Sequence, residues 1–225
     1  MLIIIVAFML VVPAGEAFAW SNGRSGPNSF GTHDWIVREG VRLAGRHSRW
    51  VCLKTARASD DPDTKDRIDH ASGTWWHVWD EWGSTYGGAP EAVAVWHRRT
   101  DRRLARGRLC QASRALGLMA HMLEDVAQPM HTDQTQAEDA IHSSYESAVD
   151  SRCTATRCRY KARNDGWEGG GPYVRTRRLA RQAHPSYRPL VRSYRRGGYS
   201  KQVDAITRRQ LNRAANVVAD LIRAM

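Results

Sequence analysis

The chain has 225 residues and a formal charge of +11, a length that suits one buried core. It carries no tandem repeat and no second block of composition, which excludes a repeat array and a two-domain chain. Its charge favours acidic partners such as phosphate-bearing polymers, anionic lipid headgroups or acidic cell-wall material, and selects none of them by itself.

Leu2 to Val12 form an unbroken apolar run, Pro13 and Gly15 break it, and Ala17-Phe18-Ala19 offers small residues to signal peptidase. Eleven apolar residues are too few for a stable membrane span. Residues 1–19 therefore read as a cleaved signal peptide, although no Lys or Arg precedes the run, and residues 20–225 as the folded domain. Cleavage leaves Trp20 at the new amino terminus, and loss of Glu16 raises the formal charge from +11 to +12. Four cysteines in an exported chain imply two disulfides, with three connectivities possible. Cys153 and Cys158 flank a short polar loop and most simply pair, which leaves Cys52 for Cys110.

Helical periodicity dominates the rest, and no convincing β hairpin is visible. Asp34 to Arg46 carries Trp35, Ile36, Val41 and Leu43 among charges, an amphipathic helix that begins at Thr32 or His33. Thr55 to Gly73 reads as loop. Ala89 to Leu104 reads as a second helix, Arg108 to Ala127 as a central buried one, and Ala137 to Val149 as a fourth. Arg159 to Pro172, with Gly166 and Gly169-Gly170-Gly171, is expected to be loop. Tyr173 to Ala183 and Lys201 to Ala224 are two further amphipathic helices. The fold class is all-α: a single multi-helix domain.

The stretch from His121 to Glu146 carries the chemistry. It contains His121-x3-Asp125, then His131, then His142-x3-Glu146. Residues four apart on a helix share a face, so each pair can aim two ligands at one point. Pro129 cannot continue a helix and lies where the chain turns to bring His131 back. One such pair alone is usually a surface pair or a satisfied core histidine. Two pairs with a third histidine between them, in an apolar run including Leu116, Met119, Met122 and Leu123, demand partners or a metal, because isolated buried charge is costly. Imidazole and carboxylate without thiolate suit zinc in a hydrolytic site.

These strings, together with Trp20 and Thr32-His33-Asp34-Trp35-Ile36-Val37, resemble the zinc-dependent phospholipase C family of bacteria, and more distantly the fungal and plant single-strand nucleases of the same fold. The likeness covers roughly residues 20–146. It implies an all-α domain with up to three zinc ions (Zn2+) in a cleft. By resemblance, His121 and Asp125 hold the first ion with an upstream histidine, and His131, His142 and Glu146 hold the second. The Trp20 amine and carbonyl hold the third with His33, and Asp125 bridges the first and third. For the upstream histidine, Trp76-His77-Val78-Trp79-Asp80 favours His77, with Asp63 as catalytic general base; the rival assignment is His70 with Asp60 or Asp61. Trp75, Trp76 and Trp79 either wall the cleft or pack in the core. The expected substrate is a phospholipid at a membrane surface, split at its glycerol–phosphate bond. The closing His-x3-Glu favours this, because the nucleases usually carry aspartate there. Gly23 and Thr64 stand where the best-known members have an acid and an aromatic for choline, so the headgroup stays open. Single-stranded nucleic acid is the alternative substrate, which high Arg content and spare tryptophans would suit. A non-catalytic zinc-stabilised binding protein is the third reading. No protein partner is implied.

Overall fold

Thirteen consecutive buried residues, Ala115 to Ala127, make one helix the centre of the molecule. A helix apolar on nearly every side has to be surrounded by other elements, and among the described residues four other helices and the turn that follows it pack against it. The computed structural model describes residues 30–45, 87–153 and 157–225, with the backbone alone of 77–78 and 85–86. In chain order these form α1 (Thr32–Ala44), β1 (His77–Val78), β2 (Thr85–Tyr86), α2 (Ala89–Ala105) and α3 (Leu109–Ala127). A 3-10 turn (Pro129–His131), α4 (Gln136–Asp139), α5 (His142–Asp150) and α6 (Pro172–Ala183) follow. A second 3-10 turn (His184–Ser186), α7 (Tyr187–Gly197) and α8 (Lys201–Arg223) complete it. The described residues make an all-α, multi-helix domain.

Helix α2 runs along α3, α6 covers both, and α1 lies on α8 while also touching α3. The α1–α8 crossing is close because Gly40 has no side chain: a Cβ there would lie 2.5 Å from Val218 Cγ1 and 2.8 Å from its Cβ. Asp34 accepts a 2.9 Å hydrogen bond from the Gly31 N–H and so starts α1. Gly45, at φ 70°, ends it in the left-handed region. His33 therefore sits in the first turn of a helix whose other end is pinned against α8.

The expected loop before α6 is present, and α8 holds it. Asn212, Asn216 and Asp220 recur at helical spacing of four. Their side-chain oxygens accept the backbone N–H groups of Arg163 (2.7 Å), Asp165 (3.2 Å) and Glu168 (3.3 Å). The Arg175 guanidinium bonds Asp220 at 2.6 Å and also pairs with Glu168, closing the loop onto the start of α6. Cys153 and Cys158 form the expected disulfide. Cys110 is also disulfide-bonded; Cys52, its expected partner, lies outside the described residues.

Three elements differ from the sequence reading. The segment between Ala183 and Lys201 carried no expected helix, yet α7 occupies most of it. Tyr187, Leu190 and Val191 are buried at helical spacing, and Pro185 and Pro189 fall in first turns, where no intrahelical N–H is needed. The fourth helix is two pieces, α4 and α5, separated at Ala140 and Ile141. Thirdly, His77 pairs antiparallel with Tyr86 and Val78 with Thr85; a ladder of two residues leaves no periodic trace in sequence. Among the described residues no helix is long and apolar enough to cross a membrane.

Candidate metal centre

Two groups of three ligand-type side chains stand out among the described residues: His33, His121 and Asp125, and His131, His142 and Glu146. All six are buried, and within each group the donor atoms lie within 4.8 Å of one another.

The first group joins the amino end of α1 to the last turns of α3. His33 and His121 stack at 4.3 Å between ring centroids. His33 Nε2 lies 3.4 Å from Asp125 Oδ1, and His121 Nε2 lies 3.3 Å from Asp125 Oδ2. Neither approach has hydrogen-bond geometry, and both Asp125 oxygens are buried without a hydrogen bond. Such a carboxylate is expensive to bury. Burial by itself pushes its pKa up, but the His121 and His33 imidazoles hold it below the usual carboxylate range. A cation bound in tetrahedral geometry, with donors about 2.1 Å away, separates neighbouring donors by about 3.4 Å. The two spacings match that value, one on each Asp125 oxygen, so each histidine–carboxylate pair fits a zinc-sized ion.

The second group is made by the chain reversal at Pro129. Gln128 caps the 3-10 turn by accepting from the Met130 N–H at 2.6 Å. Its Nε2 donates to Glu146 Oε1 at 3.1 Å and lies 2.9 Å from His142 Nε2. His142 Nε2 in turn is 2.8 Å from Glu146 Oε1, and the His131 ring meets the His142 ring edge-on at 5.1 Å. Beyond the turn, Thr132 is tied by its carbonyl to His184 Nδ1 at 3.2 Å. The donors converge at one point here also, and imidazole with carboxylate is again a zinc-type set.

Two further acids touch these groups. Glu124, next to Asp125 in α3, approaches His33 Nδ1 to 2.6 Å with both side chains fully buried. Burial lifts its pKa to about 7, against the pull of the His33 hydrogen bond. Glu138 of α4 pairs with His142 Nδ1. Burial would lower His142, but Glu146 and Glu138 on either side raise it to about 10. Sequence reasoning assigned no role to Glu124, Glu138 or Gln128. The signals were there: Glu138, His142 and Glu146 are spaced by four, and Glu124 sits amid residues that are all apolar or ligands.

Trp20, Asp63 and the rival set of His70, Asp60 and Asp61 lie outside the described residues, as do Trp75, Trp76 and Trp79. His77 is described only through its backbone in β1.

No protein-family model matches this chain, and no curated protein does. Solved structures do. The alpha toxin from Clostridium absonum aligns with a TM-score of 0.65 at 15% identity, covering 88% of this chain and 64% of the toxin. The Clostridium perfringens alpha-toxin from avian strain SWCP aligns at 0.63 and 18% identity, covering 85% of this chain and 62% of the toxin. The chain has the alpha-toxin fold. It spans less than two thirds of the toxins' length. Within the alpha-toxin fold shown here, both ligand groups hang on α3 and the reversal that follows it, with α1 and α5 supplying the remaining donors.

Proposed function

We propose that this protein is a secreted, zinc-dependent phosphodiesterase of the phospholipase C type, hydrolysing the glycerol–phosphate bond of phospholipids. The observation that carries this reading is the pair of buried histidine–carboxylate groups built on one helix and its reversal, in an alpha-toxin fold. The resemblance of the His-x3-Asp-x3-Pro-x-His and His-x3-Glu strings to zinc-dependent phospholipases C supports it, as does the disulfide for an extracellular location.

Zinc held by these residues would supply Lewis-acid polarisation of a phosphoryl oxygen and ease the ionisation of water. His33, His121 and Asp125 would hold one part of that charge, and His131, His142 and Glu146 another. Trp20, through its terminal amine and carbonyl, would complete the set with His33, and His77 with His121. The chain's other contribution is position. Asp125 faces two imidazoles with two separate oxygens, so one carboxylate would serve a cation beside each ring. Gln128 locks His142 to Glu146 and pins the turn that presents His131. Asp63 is assigned as the general base that takes a proton from the attacking water.

The test uses protein that begins at Trp20, incubated with phosphatidylcholine vesicles and, separately, single-stranded DNA, with and without chelator. Chelator-sensitive release of diacylglycerol is expected. Cleavage of DNA alone would replace the lipid with a nucleic-acid substrate, and cleavage of neither would leave a zinc-stabilised binding protein. One additional residue before Trp20 is expected to weaken lipid cleavage by disturbing the terminal chelate.

A further inference from the structure

Each ligand group contains one histidine gripped from both sides by acids. His33 presents Nε2 to Asp125 at 3.4 Å and Nδ1 to Glu124 at 2.6 Å. His142 presents Nε2 to Glu146 at 2.8 Å and Nδ1 to Glu138. Glu124 and Glu138 belong to neither ligand group, and both are buried. With a cation bound and these acids ionised, each carboxylate can only accept a hydrogen bond and so favours the tautomer with its proton on Nδ1. That would leave the Nε2 lone pair for the cation shared with the ligand carboxylate. We infer that Glu124 and Glu138 are positioning residues, each setting the tautomer, ring orientation and basicity of one zinc-binding histidine and hence the affinity of its own group.

This rests on the reading that the two groups hold divalent cations. It goes beyond that reading by separating the acids that bind from the acids that steer. The local structure makes the arrangement specific. In α3, adjacent residues point about 100° apart, which lets Asp125 and Glu124 reach opposite nitrogens of a ring that arrives from α1. In the second group the helix interruption at Ala140 and Ile141 lies between Glu138 and His142. Four residues on, Glu146 reaches the other nitrogen from within α5. A carboxylate behind a ligating histidine commonly changes metal affinity by roughly 10–100-fold, so the effect is measurable for each group separately.

The experiment is zinc titration of the full-length mature protein and its Glu124→Gln and Glu138→Gln variants, in competition with a chromophoric chelator. Each substitution is expected to weaken one tight site by about 10–100-fold and leave the other unchanged. In a His33→Ala background, Glu124→Gln is expected to add no further loss, because its effect passes through that ring. Wild-type affinities in both variants would overturn the inference, as would a full additional loss in the His33→Ala background. If a variant fails to fold, the histidine 15N spectrum of the zinc-loaded wild type decides. Protons on Nδ1 of His33 and His142 are expected; protons on Nε2 would overturn it. A wild-type protein that binds no zinc would instead defeat the underlying metal reading.

Discussion

His33 in the first turn of α1 and His121 near the end of α3 stack face to face, 4.3 Å between centroids and 22° from parallel. Two imidazoles held this close cannot both carry a proton charge cheaply, and Asp125 lies against the Nε2 atoms of both. Cations held between these nitrogens and the two Asp125 oxygens would resolve that crowding. Asp125→Asn keeps the shape but removes the charge. It is expected to lose most phosphodiesterase activity and to weaken zinc binding by more than the roughly 100-fold typical of an outer partner. Chelator competition and vesicle hydrolysis check this together; full activity with unchanged zinc content would contradict the assignment.

The metal-free protein should respond to pH in a direction opposite to that of metal binding. Glu124 is raised from 4.5 to about 7, so its contribution to stability is complete below about 4.5 and is lost as pH rises through about 7. His142 is raised from 6.5 to about 10, so its contribution is complete below about 6.5 and fades as pH rises through about 10. With chelator present, Tm is expected to fall from about pH 5 to pH 9. The extra stability conferred by zinc is expected to grow over the same range, because metal binding displaces protons from its ligands. Scanning calorimetry with and without zinc checks both; a metal-free Tm that climbs with pH would exclude these assignments.

The ligand spacing was legible in the sequence because α3 is a regular helix. A four-residue interval there has only one geometric meaning, and His121 and Asp125 converge as the spacing implies. His33 was reachable only through resemblance, since nothing local links α1 to a residue 91 positions away. Glu124 and Glu138 went unassigned because a buried acid beside a ligand looks the same in sequence whether it binds or steers. Helix α7 escaped because its prolines resemble breakers unless the start of the helix is known. The α4–α5 break left no signal either, since neither Ala140 nor Ile141 is a breaker.

Gly40 tests the packing that places His33. Gly40→Ala puts a methyl against Val218, whose branched side chain cannot swing away, and near the Ala215 carbonyl at 3.2 Å. The gain in helix propensity, about 1 kcal/mol, is outweighed by overpacking of about 1–3 kcal/mol. A net fall in Tm of a few degrees is expected, at roughly 2–4 °C per kcal/mol for a chain of this size. An unchanged or higher Tm would mean that the α1–α8 crossing relaxes freely.

Arg175 and Asp220 test the loop clamp. Both side chains are nearly inaccessible, 4% and 3% exposed, so removing one leaves a buried charge with less compensation. Arg175→Met is expected to cost about 3 kcal/mol and to speed amide exchange at Glu168, whereas the pair Arg175→Met with Asp220→Leu should recover much of that loss. A double-variant loss equal to the sum of the two single losses would show that the pair is not coupled.

The most direct measurement is native mass spectrometry of the folded protein beginning at Trp20, after dialysis against metal-free buffer. Up to three retained zinc ions are expected, with fewer in His121→Ala and in His142→Ala. A folded wild-type protein that retains no divalent transition metal would contradict the reading of both histidine–carboxylate groups as metal sites.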